Sequence, residues 1–501
     1  MLETYREELA RFHEALAREE YEHYSGRKDA LDLEPIYDQY GHLFTPEAVE
    51  ALRREREAIP EAFETARRAL DLLIADATER ALEMAVRPLT EQIARADAAA
   101  EIAWDEEVLT FAQAQQRLAT EPSPARRREL HAACLDIIRR TNELRAERWR
   151  QIHRAARRFG HPDYQSVYRA LRALDFEALG RQWAQFLEET EELYQAHLQE
   201  ALWSELGLRP QEAHRADIPA FLRLERYADV FPRDGLRAIY EDVLQGLGIE
   251  VDRQKNIEID DEERPRKHPR AFCAPIRIPE EIKLVIAPNG GAPDYQALLH
   301  EAGHAQHYAW TSAALLPEFR YAGDRALSEM YAFLLESLLR EPRWLEDALH
   351  FPASEHFLKL MAGQRLFLLR RYAAKCEYEQ LLHATDEPEA VAAVYAERLT
   401  RATGFQYPPE EFLSDVDDGF YAADYWRAWI AEVWLRDYVK TRFGHRWWRH
   451  PRAGRFLIEL WETGERYTAE EIVRQIGTSA PTIEPLLDEV KTLLGRRRRR
   501  R

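Results

Sequence analysis

The run Leu299-His300-Glu301-Ala302-Gly303-His304-Ala305-Gln306-His307 sets a His-Glu-x-x-His motif inside a helical pattern. Residues four apart on a helix sit one above the other on the same face. His300 and His304 therefore present two imidazoles to a single metal ion. Glu301 is turned about 100° round the same helix, so it lies beside the metal without binding it. Two neutral nitrogen ligands and a carboxylate base near an activated water are what metal-assisted hydrolysis requires. A catalytic zinc takes a third protein ligand and keeps one position open. Glu329 is the candidate, in Ala326-Leu327-Ser328-Glu329-Met330-Tyr331-Ala332-Phe333-Leu334-Leu335-Glu336.

The elements that must position these groups are legible nearby. Leu327, Met330, Leu334 and Leu338 recur at helical spacing. Ala326, Phe333 and Leu335 make this second helix apolar nearly all round, which marks it as buried. Glu329 and Glu336, seven apart, share one face with Phe333. A carboxylate on a buried helix needs a partner, and a metal is one. The first helix follows the loop Pro288-Asn289-Gly290-Gly291-Ala292-Pro293, with Asp294 at a capping position. The second follows Gly323-Asp324, with Asp324 as N-cap. The turn-like segment from Leu316-Pro317 to Gly323 lets the two pack side by side, with Glu329 facing the histidines. The motif alone also fits an ordinary surface helix with two satisfied histidines. The loop before it and the glutamate-bearing apolar helix after it favour a metal site.

These residues resemble the thimet oligopeptidase and oligoendopeptidase F family of zinc metallopeptidases. The likeness rests on the His300 to Glu329 spacing, the further Glu336, and His307 just past the motif. Upstream, Pro269-Arg270-Ala271-Phe272-Cys273 and Pro288 to Asp294 add to it. It covers Lys267 to Leu339. The angiotensin-converting enzyme family has a similar helix pair, but the Glu329 to Glu336 interval favours the thimet side. The resemblance implies a mainly α fold, two helical lobes flanking a deep substrate cleft. It also implies one Zn2+ per chain on His300, His304 and Glu329, Glu301 as general base, and an oligopeptide substrate.

In that family a C-terminal aromatic segment places a histidine and tyrosines over the zinc. The similar segment here is Asp415-Val416-Asp417-Asp418-Gly419-Phe420-Tyr421-Ala422-Ala423-Asp424-Tyr425. The family histidine falls on Asp415 or Val416. Tyrosines fall on Tyr421 and Tyr425, the candidate oxyanion donors, and a further one on Arg427 or Ala428. Asp415 has two readings. It binds a cationic or N–H-bearing substrate group, since an ionised carboxylate only accepts, or it forms a solvated turn with Asp417 and Asp418. Arg427, if it faces the cleft, supplies positive charge through its fork of donors.

The β signal is Ala271-Phe272-Cys273-Ala274-Pro275-Ile276-Arg277-Ile278 followed by Glu281-Ile282-Lys283-Leu284-Val285-Ile286, a short antiparallel pair beside the zinc helix. Pro275 fits an edge or bulge. An exposed edge strand there binds an extended peptide through its backbone, which makes Ala271, Phe272 and Cys273 candidate substrate contacts. A small sheet that only braces the helix is the other reading.

The chain has 501 residues, 46% hydrophobic and 32% charged, with a net charge of −19. That charge argues against nucleic acid and anionic membrane as partners. No run approaches a transmembrane helix. The N-terminus, Met1 to Glu8, is charged and lacks a signal-peptide core, so a cytoplasmic location is expected. Cys134, Cys273 and Cys376 are widely spaced and suggest neither a disulfide framework nor a cysteine zinc site. Residues 1–155 read as charged amphipathic helices, among them Arg127 to Phe159. Residues 156–501 read as the metallopeptidase region. Arg496 to Arg501 reads as a disordered basic tail. The function expected is hydrolysis of internal bonds in short oligopeptides. A zinc hydrolase of a non-peptide amide and a catalytically weak metal-binding scaffold are the alternatives. Oligomeric state is not legible.

Overall fold

The computed structural model describes residues 2–495 except Pro265, Pro269, Arg270, Ala287, Asp386 and residues 478–480. The arginine tail and the Pro269-Arg270 pair therefore lie outside the described residues. The fold is mainly α, as expected. Five short strands accompany the helices among the described residues: β1 (Glu101–Trp104), β2 (Glu107–Thr110), β3 (Ile257–Asp260), β4 (Phe272–Arg277) and β5 (Glu281–Val285).

The chain divides into two compact units, each assembled from three separated segments. The first comprises Met1–Arg80, Tyr227–Ser354 and Arg427–Leu486. The second comprises Ala81–Arg226, Glu355–Trp426 and Leu487–Arg501.

The first unit is organised on a sheet with strand order β3-β5-β4. The expected antiparallel pair is β4–β5. The third strand, β3, runs parallel to β5 and was not expected. Its Ile-Glu-Ile-Asp run is only four residues long and half charged, too short for a period-two signal to stand out. Both faces of the sheet are covered. Ala274, Ile276 and Val285 pack against Tyr21 of the N-terminal helix, Leu2–Tyr24. Ile282 and Cys273 pack on the other side against Ala305 and Ala309. These belong to the motif helix, Ala292–Trp310. Alternate residues of β4 thus serve opposite faces, as the pleat requires. The N-terminal helix is pinned polarly as well. Tyr21 donates to Asp260 Oδ2 at 3.0 Å, and Arg264, Lys267 and Arg27 hold the same buried carboxylate at 2.9, 3.1 and 3.2 Å.

The second unit is built on three long helices, Pro124–Arg158, Phe176–Leu206 and Glu355–Leu382, with β1 and β2 forming an antiparallel hairpin. The first of these starts at Pro124, three residues before the expected Arg127. Ser123 caps it by accepting from the Arg126 N–H, and proline suits the first helical position because no donor is wanted there. The hairpin was missed because each strand has only four residues.

Candidate metal centre

The motif helix begins at Ala292 with Gly291 at its N-cap. Asp294, expected at the cap, lies inside the first turn. Its carboxylate reaches back to the backbone N–H of Gly290 (2.7 Å) and of Asn289, closing the glycine-rich loop. The glutamate helix, Arg325–Glu336, is capped by Asp324 as expected, Oδ1 accepting from Ala326 N at 3.3 Å. The two helices touch backbone to backbone at Gly303. A Cβ there would lie 2.4 Å from Ala332 Cα and 2.6 Å from the Tyr331 carbonyl oxygen. Only glycine permits this approach, and it carries Glu329 up to the histidines.

One ligand atom from each of His300, His304 and Glu329 lies within 4.8 Å of the others. His300 Nε2 is 3.2 Å from Glu329 Oε2, and His304 Nε2 is 3.6 Å from Glu329 Oε1. Both Nδ1 atoms are engaged on the far side. His300 Nδ1 donates to Glu336 Oε2 at 3.1 Å, and His304 Nδ1 lies 2.7 Å from Ser328 Oγ. Each imidazole therefore turns its Nε2 toward the same point, with an outer partner steadying the ring. Two imidazole nitrogens and one carboxylate oxygen at this spacing suit a zinc ion, so the residues present fit that group.

The electrostatics agree. Burial would raise the Glu329 carboxyl, but His304 and His300 hold it well below the usual carboxylate range. Burial likewise opposes charge on His300, yet Glu329 and Glu336 push that imidazole well above its ordinary value. The pocket stabilises positive charge between the two rings, the sign a metal ion carries. Glu301 stands beside it, raised above the ordinary carboxyl value by burial. Its Oε2 accepts the backbone N–H of Cys273 at 2.8 Å. That N–H leaves β4 on the side away from β5, so the free edge of the sheet meets the motif helix at Glu301. Proline two residues on, at position 275, follows the same alternation and faces its missing donor away from the ladder. The Cys273 side chain packs into the apolar cluster under the helix, and burial lifts its thiol well above the usual value.

Other groups lie near the centre without joining it. His307 is buried, with Nδ1 3.1 Å from Ser328 Oγ and Nε2 3.3 Å from the Gly464 carbonyl, and burial lowers its pKa to about 3. Arg427, considered from sequence as a source of positive charge, is committed elsewhere. Nη1 and Nη2 hold the two Asp324 oxygens at 2.9 and 2.8 Å, while Nε and Nη2 hold Glu470 at 2.8 Å each. It clamps the start of the glutamate helix to the helix Ala469–Gln475.

Asp415, Tyr421 and Tyr425 belong to the second unit. The Asp415 carboxylate is taken by Arg371 and by the Tyr395 hydroxyl at 2.9 Å. Burial would raise it, but Arg371 and Lys375 bring its pKa down to about 2. It is an ion-paired group, and the solvated turn is not what forms. Tyr421 lines a cavity of about 420 Å³ with Arg145, Trp149 and His383. Tyr425 packs edge-on against Tyr421 and Tyr372, centroids 5.0 and 5.2 Å away.

Sequence reasoning left three members of the centre without a role: Glu336, Ser328 and Gly303. For Glu336 the signal was present, because its seven-residue offset from Glu329 puts both on one face. Ser328 and Gly303 act through contacts that arise only when the helices pair.

No family model and no curated protein matches the sequence. Solved structures do match. One reported as an oligoendopeptidase F gives a TM-score of 0.72 at 15% identity, over 98% of this chain and 90% of that one. An M32 carboxypeptidase from Deinococcus radiodurans gives 0.63 at 14% identity, over 98% of each chain. Metallocarboxypeptidase 1 of Trypanosoma cruzi gives 0.62 at 14% identity, over 98% and 99%. The chain has the fold of the oligoendopeptidase F and M32 carboxypeptidase structures.

Proposed function

We propose that this protein is a zinc-dependent metallopeptidase that cleaves internal bonds of short oligopeptides. The observation that carries this reading is the convergence of His300, His304 and Glu329 beside Glu301, whose carboxylate is held by a main-chain N–H of an edge strand. Zinc bound there supplies Lewis-acid polarisation of a carbonyl and lowers the pKa of water toward about 7. Glu301 has Oε2 fixed by Cys273, which leaves Oε1 to take a proton from the attacking water and pass it to the departing amine. A peptide lying along β4 meets the outward-facing carbonyls of Ala271 and Cys273, while the backbone groups of Phe272 are turned to β5. Extended docking of this kind reads backbone rather than side chains, which suits short unfolded substrates. We leave Asp415 out of the substrate contacts because Arg371 and Tyr395 already occupy its carboxylate.

A second reading is removal of C-terminal residues. It is favoured by the carboxypeptidase structures, which match over nearly their full length. One experiment separates the two. The purified protein is incubated with a mixed peptide library, with and without a chelator and with zinc restored, and products are read by mass spectrometry. Internal fragments that vanish with chelator support the first reading. C-terminal ladders support the second. No chelator-sensitive product from any peptide would refute both and leave a non-peptide amide or a non-catalytic scaffold.

A further inference from the structure

We infer that Ser328, His307 and the Gly464 carbonyl form a relay that fixes the tautomer of His304, so that Nε2 rather than Nδ1 is offered to the metal. The inference rests on the zinc reading above. The chain of reasoning starts at its far end. A backbone carbonyl only accepts, so His307 Nε2, 3.3 Å from Gly464 O, carries a proton. His307 is fully buried and neutral, so its Nδ1 is an acceptor. The atom 3.1 Å from that Nδ1 is Ser328 Oγ; the Tyr308 hydroxyl also hydrogen-bonds this serine, but a hydroxyl can donate whereas the His307 Nδ1 can only accept, so the serine's single proton goes to His307. The serine oxygen is left with lone pairs only. His304 Nδ1, 2.7 Å away, is then the donor, and its Nε2 lone pair faces Glu329.

The anchor of this relay is rigid. Gly464 has a φ of +55°, and a Cβ there would lie 2.5 Å from the Phe319 carbonyl oxygen and 2.9 Å from Leu315 Cδ1. Only glycine can hold that carbonyl in place. The design also treats the two ligands differently. His300 is steadied by a carboxylate, Glu336, and His304 by a neutral hydroxyl. The relay orders the second imidazole without adding another negative charge beside Glu329, Glu336 and Glu301. Ser328 and His307 are thus positioning residues.

The test is zinc affinity, measured by competition with a chromophoric chelator, for the wild-type protein and for Ser328→Ala and Ser328→Thr. Loss of such an outer partner typically weakens metal binding about 10–100-fold. Ser328→Ala should show a loss in that range, while Ser328→Thr, which keeps the hydroxyl, should stay near wild type. Equal affinity in wild type and Ser328→Ala would overturn the relay and leave the metallopeptidase reading standing. Failure of the wild-type protein itself to hold zinc would overturn both. Should Ser328→Ala not fold, the cobalt(II)-loaded wild-type protein decides. Two solvent-exchangeable, paramagnetically shifted imidazole N–H resonances are expected, one from each ligand histidine. A further sharp ring signal that does not exchange with solvent, the Cδ2–H that Nδ1 ligation would leave remote from the metal, would overturn the inference.

Discussion

Gly303→Ala is a small change with a large expected effect. The added methyl would lie 2.4 Å from Ala332 Cα, 2.6 Å from the Tyr331 carbonyl oxygen and 2.8 Å from Ala332 N. All three are backbone atoms, so no side-chain rotation relieves the clash. Carbon atoms rest at about 3.5–4.0 Å, and the helices must part by about 1 Å. Overpacking of this kind costs about 1–3 kcal/mol. Alanine returns about 1 kcal/mol of helix propensity. Because the contacts are unyielding, the upper end of the cost applies, and a net loss of about 2 kcal/mol is expected. The greater consequence falls on the metal. His304 is the next residue, and Glu329 stands less than one turn from Ala332. Ligand distances are tolerated to within about 0.2 Å, so a shift several times larger should lower zinc affinity at least tenfold. Urea unfolding of the metal-free protein and chelator competition measure the two effects separately. A variant as stable as wild type that holds zinc equally would refute the close-approach argument.

Glu301→Gln should keep zinc and lose turnover by about 10²–10⁴-fold; unchanged peptide hydrolysis would remove Glu301 as the base. Arg427→Met leaves Asp324 and Glu470 without their clamp and should cost about 3 kcal/mol in chemical unfolding, the scale of a broken buried pair; a wild-type midpoint would show the clamp to be idle. Asp260 has its pKa brought from 3.8 to about 2; burial would raise it, but Arg264 and Lys267 prevail. A depressed carboxyl contributes stability that is complete above about pH 4 and is lost as pH falls through about 2, worth about 2 kcal/mol. Asp260→Asn should therefore unfold at lower urea than wild type at pH 7 and draw level near pH 2; a constant gap would contradict the linkage.

The grouping of the candidate ligands was legible because it is set by local periodicity. The His300–His304 pair is one helical turn, and Glu329 stands out as a carboxylate in the middle of a helix that is apolar nearly all round. β4 and β5 were legible as apolar runs separated by Pro279-Glu280, and Asp324 as a cap. What was hidden is hidden for a physical reason. Ser328 and Gly464 are far apart in sequence, and a serine or a glycine says nothing of what it will touch once the chain folds. Arg427 illustrates the same limit. Its residue type suited a substrate-facing charge, but Asp324 and Glu470 claim it, and no spacing rule links three such distant positions. Asp415 likewise read as a turn residue or a substrate contact, and Arg371, a helix away, decides its partner.

The interleaving of segments in the first unit has a consequence for synthesis. Asp324 and Arg427 are 103 residues apart. At about 5–20 residues per second, the ribosome delivers the motif and glutamate helices about 5–20 s before the arginine that pins them. Gly464 emerges later still. During that interval two imidazoles and several carboxylates are already outside the tunnel without the framework that orients them. Final assembly of the candidate centre therefore waits for residues as far along the chain as Arg427 and Gly464.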